Sequence, residues 1–343
     1  MKHVAIIGAG QVARTVHAPY YGSRRDELEL AAVVDADQAR AEDFCRQTGF
    51  GRAYASVDQL LEHEDIALAS VCTPNRFHCE ATLSLLDAGV NVLCEKPPAM
   101  TADQAGQMLT KSVERGCLLA YDFQHRFSDE AQLLKRHLSK LGGIYYVEAV
   151  ALRRCGVPGW GDFIDQRLQG GGPLIDLGIH MLDAALHLLG FPTVSQVEAV
   201  SFRQIGPKKS QGAFGRWDPA RFSVEDSLFG ALRFGDGGLM RLSTSFALNI
   251  RPANQLGLLF CGDQAGATLY PAEIFRDVAG ELEILDSVPP TPTDNHARCL
   301  AAFVNAALGR PSDVLATAQQ GYEVQRIIDA LYRSAEAEQP ITL

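Results

Sequence analysis

Between Pro173 and Leu189 the sequence PLIDLGIHMLDAALHLL is apolar except for Asp176, His180, Asp183 and His187. At about 100° per residue, their spacing puts all four on one narrow line of a helix. Such a line needs a reason, because a carboxylate or imidazole withdrawn from water is costly unless it is paired or working. A carboxylate one helical turn from an imidazole can orient it as a general base and stabilise its charged form. The same residues can equally be a satisfied core pair, so the line alone leaves two readings.

A second group sits near the start. Gly8-Ala9-Gly10-Gln11-Val12-Ala13 follows the strand-like VAII and opens a helical pattern, the context in which G-x-G-x-x-G/A cradles a pyrophosphate. Gly8 permits the tight turn, Gly10 lets the backbone approach phosphate, and Ala13 allows close helix packing. The next strand-like run ends at Asp35, about 20 residues on, where an acid accepts hydrogen bonds from a ribose. That carboxylate would repel a 2′-phosphate and Ala36 beside it adds no cation, so NAD is expected over NADP.

Two further segments end strands in the same region: Cys72-Thr73-Pro74-Asn75-Arg76-Phe77-His78 and Cys94-Glu95-Lys96-Pro97-Pro98. Pro97 stops the strand and biases Lys96 towards an extended conformation, which holds the amine at the ligand crevice.

These residues must be placed by their elements. Up to Asp122, short β-rich runs alternate with helical patterns as in βαβ units, several ending at glycine (Gly49, Gly89, Gly116). The expectation is an α/β chain whose residues 1–122 form a Rossmann doubly wound parallel sheet binding NAD. Residues 123–343 carry longer strand runs (Val194–Phe202, Leu228–Phe234, Gly238–Ala247, Gln255–Phe260) and two final helices. They are expected to form a substrate-binding and oligomerisation α/β domain with a large open, mostly antiparallel sheet. The stretch Gln204–Arg221 reads as a flap beside the substrate or as an arm between subunits.

At 343 residues, with 47% hydrophobic and 21% charged content, the chain is long enough for two globular domains. A formal net charge of −10 argues against nucleic acid or an anionic membrane as partner. The eight cysteines include no C-x-x-C pair and no clustered Cys/His spacing, so no metal centre is expected and a zinc alcohol dehydrogenase is disfavoured. With no leader-like start and no long apolar span, a cytoplasmic protein is expected.

The GAGQVA turn, Asp35, TPNRFH, the EKP triplet and GGPLIDLGIHMLD with its D-x-x-x-H together resemble the Gfo/Idh/MocA oxidoreductases, the group of glucose-fructose oxidoreductase and inositol dehydrogenase. Within it, LRRCGVPGWG, QGGGPLIDLGIHMLDAA and FCGDQAGATLYPA most resemble the bacterial D-glucoside 3-dehydrogenases. The resemblance implies catalytic roles for Lys96, Asp176 and His180. It implies a cofactor lining of Gly8, Gly10, Gln11, Val12, Asp35, Thr73, Pro74, Asn75, His78, Glu95 and Lys96. The expected reaction is NAD(H)-dependent interconversion of a C3 hydroxyl and 3-ketone in a D-glucoside or related pyranose, with either His180 or Lys96 as the acid/base. Arg126, Arg153 and Trp160 join Lys96, Asp176 and His180 as candidate sugar contacts. A homo-oligomer, dimer or tetramer, is expected. Other readings are an inositol or aldose dehydrogenase sharing the chemistry, NAD-dependent glycosidic cleavage through a transient ketone, and a non-catalytic NAD-sensing regulator. The last predicts erosion of Lys96, Asp176 or His180, and all three are present.

Overall fold

The computed structural model describes residues 1–290 and 292–343, and the chain divides into two compact units. The first comprises Met1–Gln124 with Asp294–Gln325, the second His125–Thr293 with Arg326–Leu343. This differs from a single break at 122/123. Residues Ala316–Thr317 pair antiparallel with Tyr121 and Ala120, and His296 Nδ1 lies 2.8 Å from Asp122, so the segment after 293 returns to the first unit.

The first unit is a parallel sheet of β1 (Lys2–Ile7), β2 (Leu28–Val34), β3 (Arg52–Tyr54), β4 (Leu68–Val71), β5 (Asn91–Cys94) and β6 (Leu119–Tyr121). Their order, β3-β2-β1-β4-β5-β6, is that of a dinucleotide-binding doubly wound sheet. The core strands read as continuous apolar runs because helices cover both faces; Val4, Ala5, Ile6, Ala69, Val92 and Leu93 are wholly buried. Helix ends follow local chemistry. Asp37, Ser56 and Thr101 cap N-termini by accepting backbone N–H groups, and Gly49 and Gly116 close C-termini with φ of 81° and 62°. Ile7 is in register with Val71, and Val71 with Cys94. The glycine turn, the TPN segment and the EKP triplet therefore leave the sheet side by side.

The second unit is built on β7 (Ile144–Arg153), β8 (Val194–Phe202), β9 (Gln211–Gly212), β10 (Gly215–Arg216), β11 (Ser227–Phe234), β12 (Leu239–Ser245), β13 (Asn254–Gly262), β14 (Gly266–Leu269), β15 (Ala272–Val278) and β16 (Glu281–Val288). All but the β9–β10 hairpin join one sheet of order β16-β15-β14-β13-β7-β12-β11-β8, with Ile341–Thr342 at the far edge. Only β7 and β12 run parallel, so the sheet is largely antiparallel as expected. The strands between 266 and 288 lie beyond the strand runs expected from the sequence.

The polar-lined helix spans Ile179–Leu189, and its first turn, Leu174–Gly178, is a π-helix. A Cβ on Gly178 would lie 3.1 Å from Thr244 of β12, whose hydroxyl donates to the Pro173 carbonyl at 2.9 Å. Glycine here lets the wide turn rest on the sheet, and π-turns recur where a helix must re-aim a functional side chain.

Candidate active site

In the first unit the glycine turn touches the neighbouring strand end. Gly8 has φ of 98°, and a Cβ there would meet the Cys72 carbonyl at 2.8 Å, so only glycine fits. Asp35 secures the same turn: its carboxylate accepts from Ala9 N and Asp37 N, each at 2.9 Å. The bare backbone at Gly8–Gly10 and the acid beside it form a cradle that fits an adenosine dinucleotide. One neighbour was not visible from the local sequence. Arg40, 53% exposed on the next helix, lies 3.7 Å from Asp35 and 3.3 Å from Asp37.

The two strand-end corners are joined by His78. Expected to line the cofactor, it is 1% exposed and bonds carbonyls through both nitrogens: Nδ1 to Pro97 at 2.8 Å and Nε2 to Thr73 at 2.9 Å. Two carbonyl acceptors favour the doubly protonated ring, whereas burial lowers its pKa. Its role is to tie the TPN corner to the EKP corner, which carries a cis Lys96–Pro97 bond.

Glu95 is held from below by a chain the sequence did not disclose. Tyr21 lies 2.6 Å from Ser70 Oγ, Ser70 lies 2.9 Å from His17 Nδ1, and His17 Nε2 lies 2.8 Å from Glu95 Oε1. Since a carboxylate only accepts, His17 donates to Glu95 through Nε2. Burial alone would raise Glu95, but His17, with His296 and Lys96 nearby, brings it below the usual carboxylate range. Asp122 goes the other way, raised by burial and by Glu95, and its partner His296 is raised in turn, the Asp122 bond overcoming burial. Ligand atoms of His17, Glu95 and Asp122 lie within 4.8 Å of one another. Because His17 spends both nitrogens on Ser70 and Glu95, this is a hydrogen-bonded network in kind.

In the second unit the four polar residues of the helix have separate fates. Asp183 is buried and takes both arms of Arg126, with Nε–Oδ2 at 2.8 Å and Nη2–Oδ1 at 2.6 Å. Arg126, expected as a possible sugar contact, is fully buried in this pair, and its role is to anchor the helix. His187 is buried beside the Arg126 and Lys135 charges, which together with burial bring its pKa down to about 3. His180 meets His125 edge to face with ring centres 5.1 Å apart. The His125 tautomer is fixed: Ser128 donates its only proton to the His125 carbonyl at 3.1 Å, Tyr270 donates to Ser128 at 3.1 Å, and His125 Nδ1 therefore donates to Tyr270 at 2.9 Å.

Asp176 projects from the π-turn and is partly exposed. Arg153 is close enough for the Asp176 charge to oppose the lowering of its pKa by burial. The turn before it, Gly170-Gly171-Gly172, is threaded against two side chains. A Cβ on Gly171 would fall 2.0 Å from the Tyr332 hydroxyl, and Glu225 accepts from Gly172 N, Leu174 N and Tyr332 at 2.9, 3.3 and 2.8 Å. The glycine run was the available signal for this contact. Trp160 is 48% exposed, and all eight cysteines are free thiols.

Comparison with known proteins places this geometry. Residues 2–123 match the model for an oxidoreductase family NAD-binding Rossmann fold, and 135–343 match that family's C-terminal alpha/beta domain. The chain belongs to the Gfo/Idh/MocA oxidoreductase family. It is 52% identical over 97% of its length to the D-glucoside 3-dehydrogenase of Escherichia coli K12, covering 95% of that protein. It is 26% identical over 92% of its length to D-xylose 1-dehydrogenase (NADP(+)) 2 of Haloferax volcanii, 93% of which is covered. A levoglucosan dehydrogenase in complex with NADH and levoglucosan shares the fold with a TM-score of 0.84 at 19% identity, with 100% of this chain and 99% of that one aligned. Among the described residues no helix is long and apolar enough to cross a membrane.

Proposed function

We propose that this Gfo/Idh/MocA protein is an NAD(H)-dependent sugar oxidoreductase that interconverts the C3 hydroxyl and 3-ketone of a D-glucoside or related pyranose. The observation that carries the reading is the near full-length 52% identity to D-glucoside 3-dehydrogenase, joined to the presence of Lys96, Asp176 and His180. Bound dinucleotide supplies the hydride acceptor. Neutral His180 takes the proton of the reacting hydroxyl, and Asp176 orients the imidazole and favours its charged form. Lys96 donates to the same oxygen as negative charge develops on it. Gly8, Gly10, Gln11 and Val12 with Asp35 hold the dinucleotide, and Thr73, Pro74, Asn75 and Glu95 line its nicotinamide half. Arg153 and Trp160 serve the sugar.

NAD is favoured over NADP because Asp35 and Asp37 outnumber Arg40 beside the ribose cradle, so a 2′-phosphate meets net negative charge. A homo-oligomer fits the exposed Val200, Phe202, Leu256, Leu282 and Ile284 on the large sheet. Incubating the protein with NAD or NADP and a panel of glucosides, free aldoses and inositols tests the reading. NADH formation with a 3-keto-glucoside, identified by NMR, is expected. Oxidation confined to C1 of aldoses or to inositols would replace it by the corresponding dehydrogenase.

A further inference from the structure

The proposed chemistry leaves residues 204–221 without a task, yet they are firmly built in. Trp217 is buried and its indole N–H donates to the Gly206 carbonyl at 2.9 Å. Asp226 accepts from Ile205 N and Gly206 N at 2.6 and 2.9 Å. Trp217 and Phe222 join a buried cluster with Val157, Ile164 and Phe246. From this base rises the β9–β10 hairpin, with Phe214 in its turn.

The hairpin lies directly on the 153–161 loop. Ala213 N donates to Cys155 O at 2.9 Å, Gly159 N donates to Phe214 O at 2.8 Å, and a Cβ on Gly159 would strike Arg216 N at 2.4 Å. This fixes the Phe214 ring edge-on to Trp160 at 5.9 Å, with the Arg153 guanidinium 4.9 Å from its centre. Trp160 also meets Phe163 at 6.4 Å. Despite that packing, Phe214 remains 40% exposed beside the exposed Trp160. A ring held by backbone contacts, with a guanidinium over it and much of its surface still exposed, is suited to stacking on a flat ligand ring at little entropic cost. Arg153 gives the direction: its guanidinium lies over Phe214, its backbone N–H donates to Ser245 Oγ at 3.2 Å, and the adjacent Thr244 donates to the Pro173 carbonyl at 2.9 Å, at the start of the turn that carries Asp176.

We propose that Phe214, presented by the β9–β10 hairpin beside Trp160 and Arg153, forms a subsite for a ring attached through the glycosidic oxygen to the oxidised pyranose. This rests on the reading of the chain as a glucoside oxidoreductase. The shared chemistry is a flat ring face, supplied by either an aryl group or a second sugar.

The test compares methyl glucoside, phenyl glucoside and a glucose disaccharide in the native protein and in Phe214→Ala and Phe214→Tyr. The native protein is expected to favour the ring-bearing glucosides. In Phe214→Ala that preference over methyl glucoside falls about 10-fold in kcat/KM, mainly through KM, and Phe214→Tyr restores it. Loss with phenyl alone identifies an aryl subsite, and loss with both an unselective ring subsite. An unchanged preference in Phe214→Ala overturns the proposal, as does a shift in subunit assembly without a change in preference. Binding is read separately from turnover by calorimetry. If the native protein binds phenyl glucoside more tightly than methyl glucoside, and Phe214→Ala does not, but neither is oxidised, the activity fails and the subsite stands.

Discussion

Asp35 does two things with one carboxylate. It bonds Ala9 N and so fixes the glycine turn, and in the proposed reading it places negative charge where a 2′-phosphate would sit. Arg40, 3.7 Å away, is held in check by Asp35 and Asp37. Replacing Asp35 by Ser keeps a hydrogen-bonding group while releasing Arg40, so the ratio of kcat/KM for NADP over NAD is expected to rise by about 10-fold or more. Steady-state kinetics with both cofactors measure it, and an unchanged ratio would show that Asp35 does not set the choice. At His180 the expectation is different. His180→Asn removes the proposed base and leaves the glycine turn alone, so turnover is expected to drop by about 10²–10⁴ while NAD affinity, followed by fluorescence titration, barely moves. Near-native turnover would remove His180 from the role of base and leave Lys96 as the candidate.

At the scale of elements, the polar line on Ile179–Leu189 was legible because helical periodicity collects residues onto one face. What each residue does there was not legible, since the deciding partners are far along the chain: Arg126 for Asp183, His125 for His180, Glu225 for the turn that precedes Asp176. The conformations of the glycine fingerprint and the EKP corner could be read for the opposite reason, as they are set by local backbone geometry. His17, on the helix after the glycine turn, went unnoticed because its partner Glu95 follows a strand far along the chain. Two consequences are measurable. Tyr332→Phe removes a donor from Glu225, loosening the Gly170–Leu174 turn; kcat is expected to fall several-fold with KM for NAD unchanged, and stability to drop by about 1 kcal/mol. An unaltered kcat would show that the turn holds without it. His187, with its pKa depressed to about 3 by burial and neighbouring cations, is neutral when folded but protonates near pH 6.5 when unfolded. The unfolded chain therefore binds the extra proton between those values, and stability is lost as pH falls through that window, at up to about 1.4 kcal/mol per pH unit from this group. Urea titrations from pH 7 to 4 should show a shallower decline for His187→Gln than for the native protein. Parallel slopes would mean that the imidazole is not buried neutral.

For the whole molecule, the decisive feature is that chain order and unit order differ. A reader of the sequence divides the chain where its texture changes, near residue 122, since alternating β and helical patterns give way there to long strands. The fold then borrows back residues 294–325, because β6 would otherwise be a bare edge and its apolar flank would face water. Cys299, Leu300, Phe303 and Val304 are buried on that segment, and a Cβ on Gly321 would overlap the Tyr121 ring at 2.0 Å. His296 meanwhile completes the carboxylate network under the EKP corner through Asp122. The nucleotide-binding unit is thus not a contiguous N-terminal fragment. A fragment of residues 1–124 is expected to expose this flank, aggregate or unfold cooperatively at low denaturant, and bind NAD poorly. The same fragment joined by a short flexible linker to residues 294–325 is expected to recover a two-state unfolding transition and measurable NAD affinity by calorimetry. Should residues 1–124 alone fold and bind NAD as well as the linked form, the returning segment would be an accessory to this unit and the network around Asp122 would not depend on it.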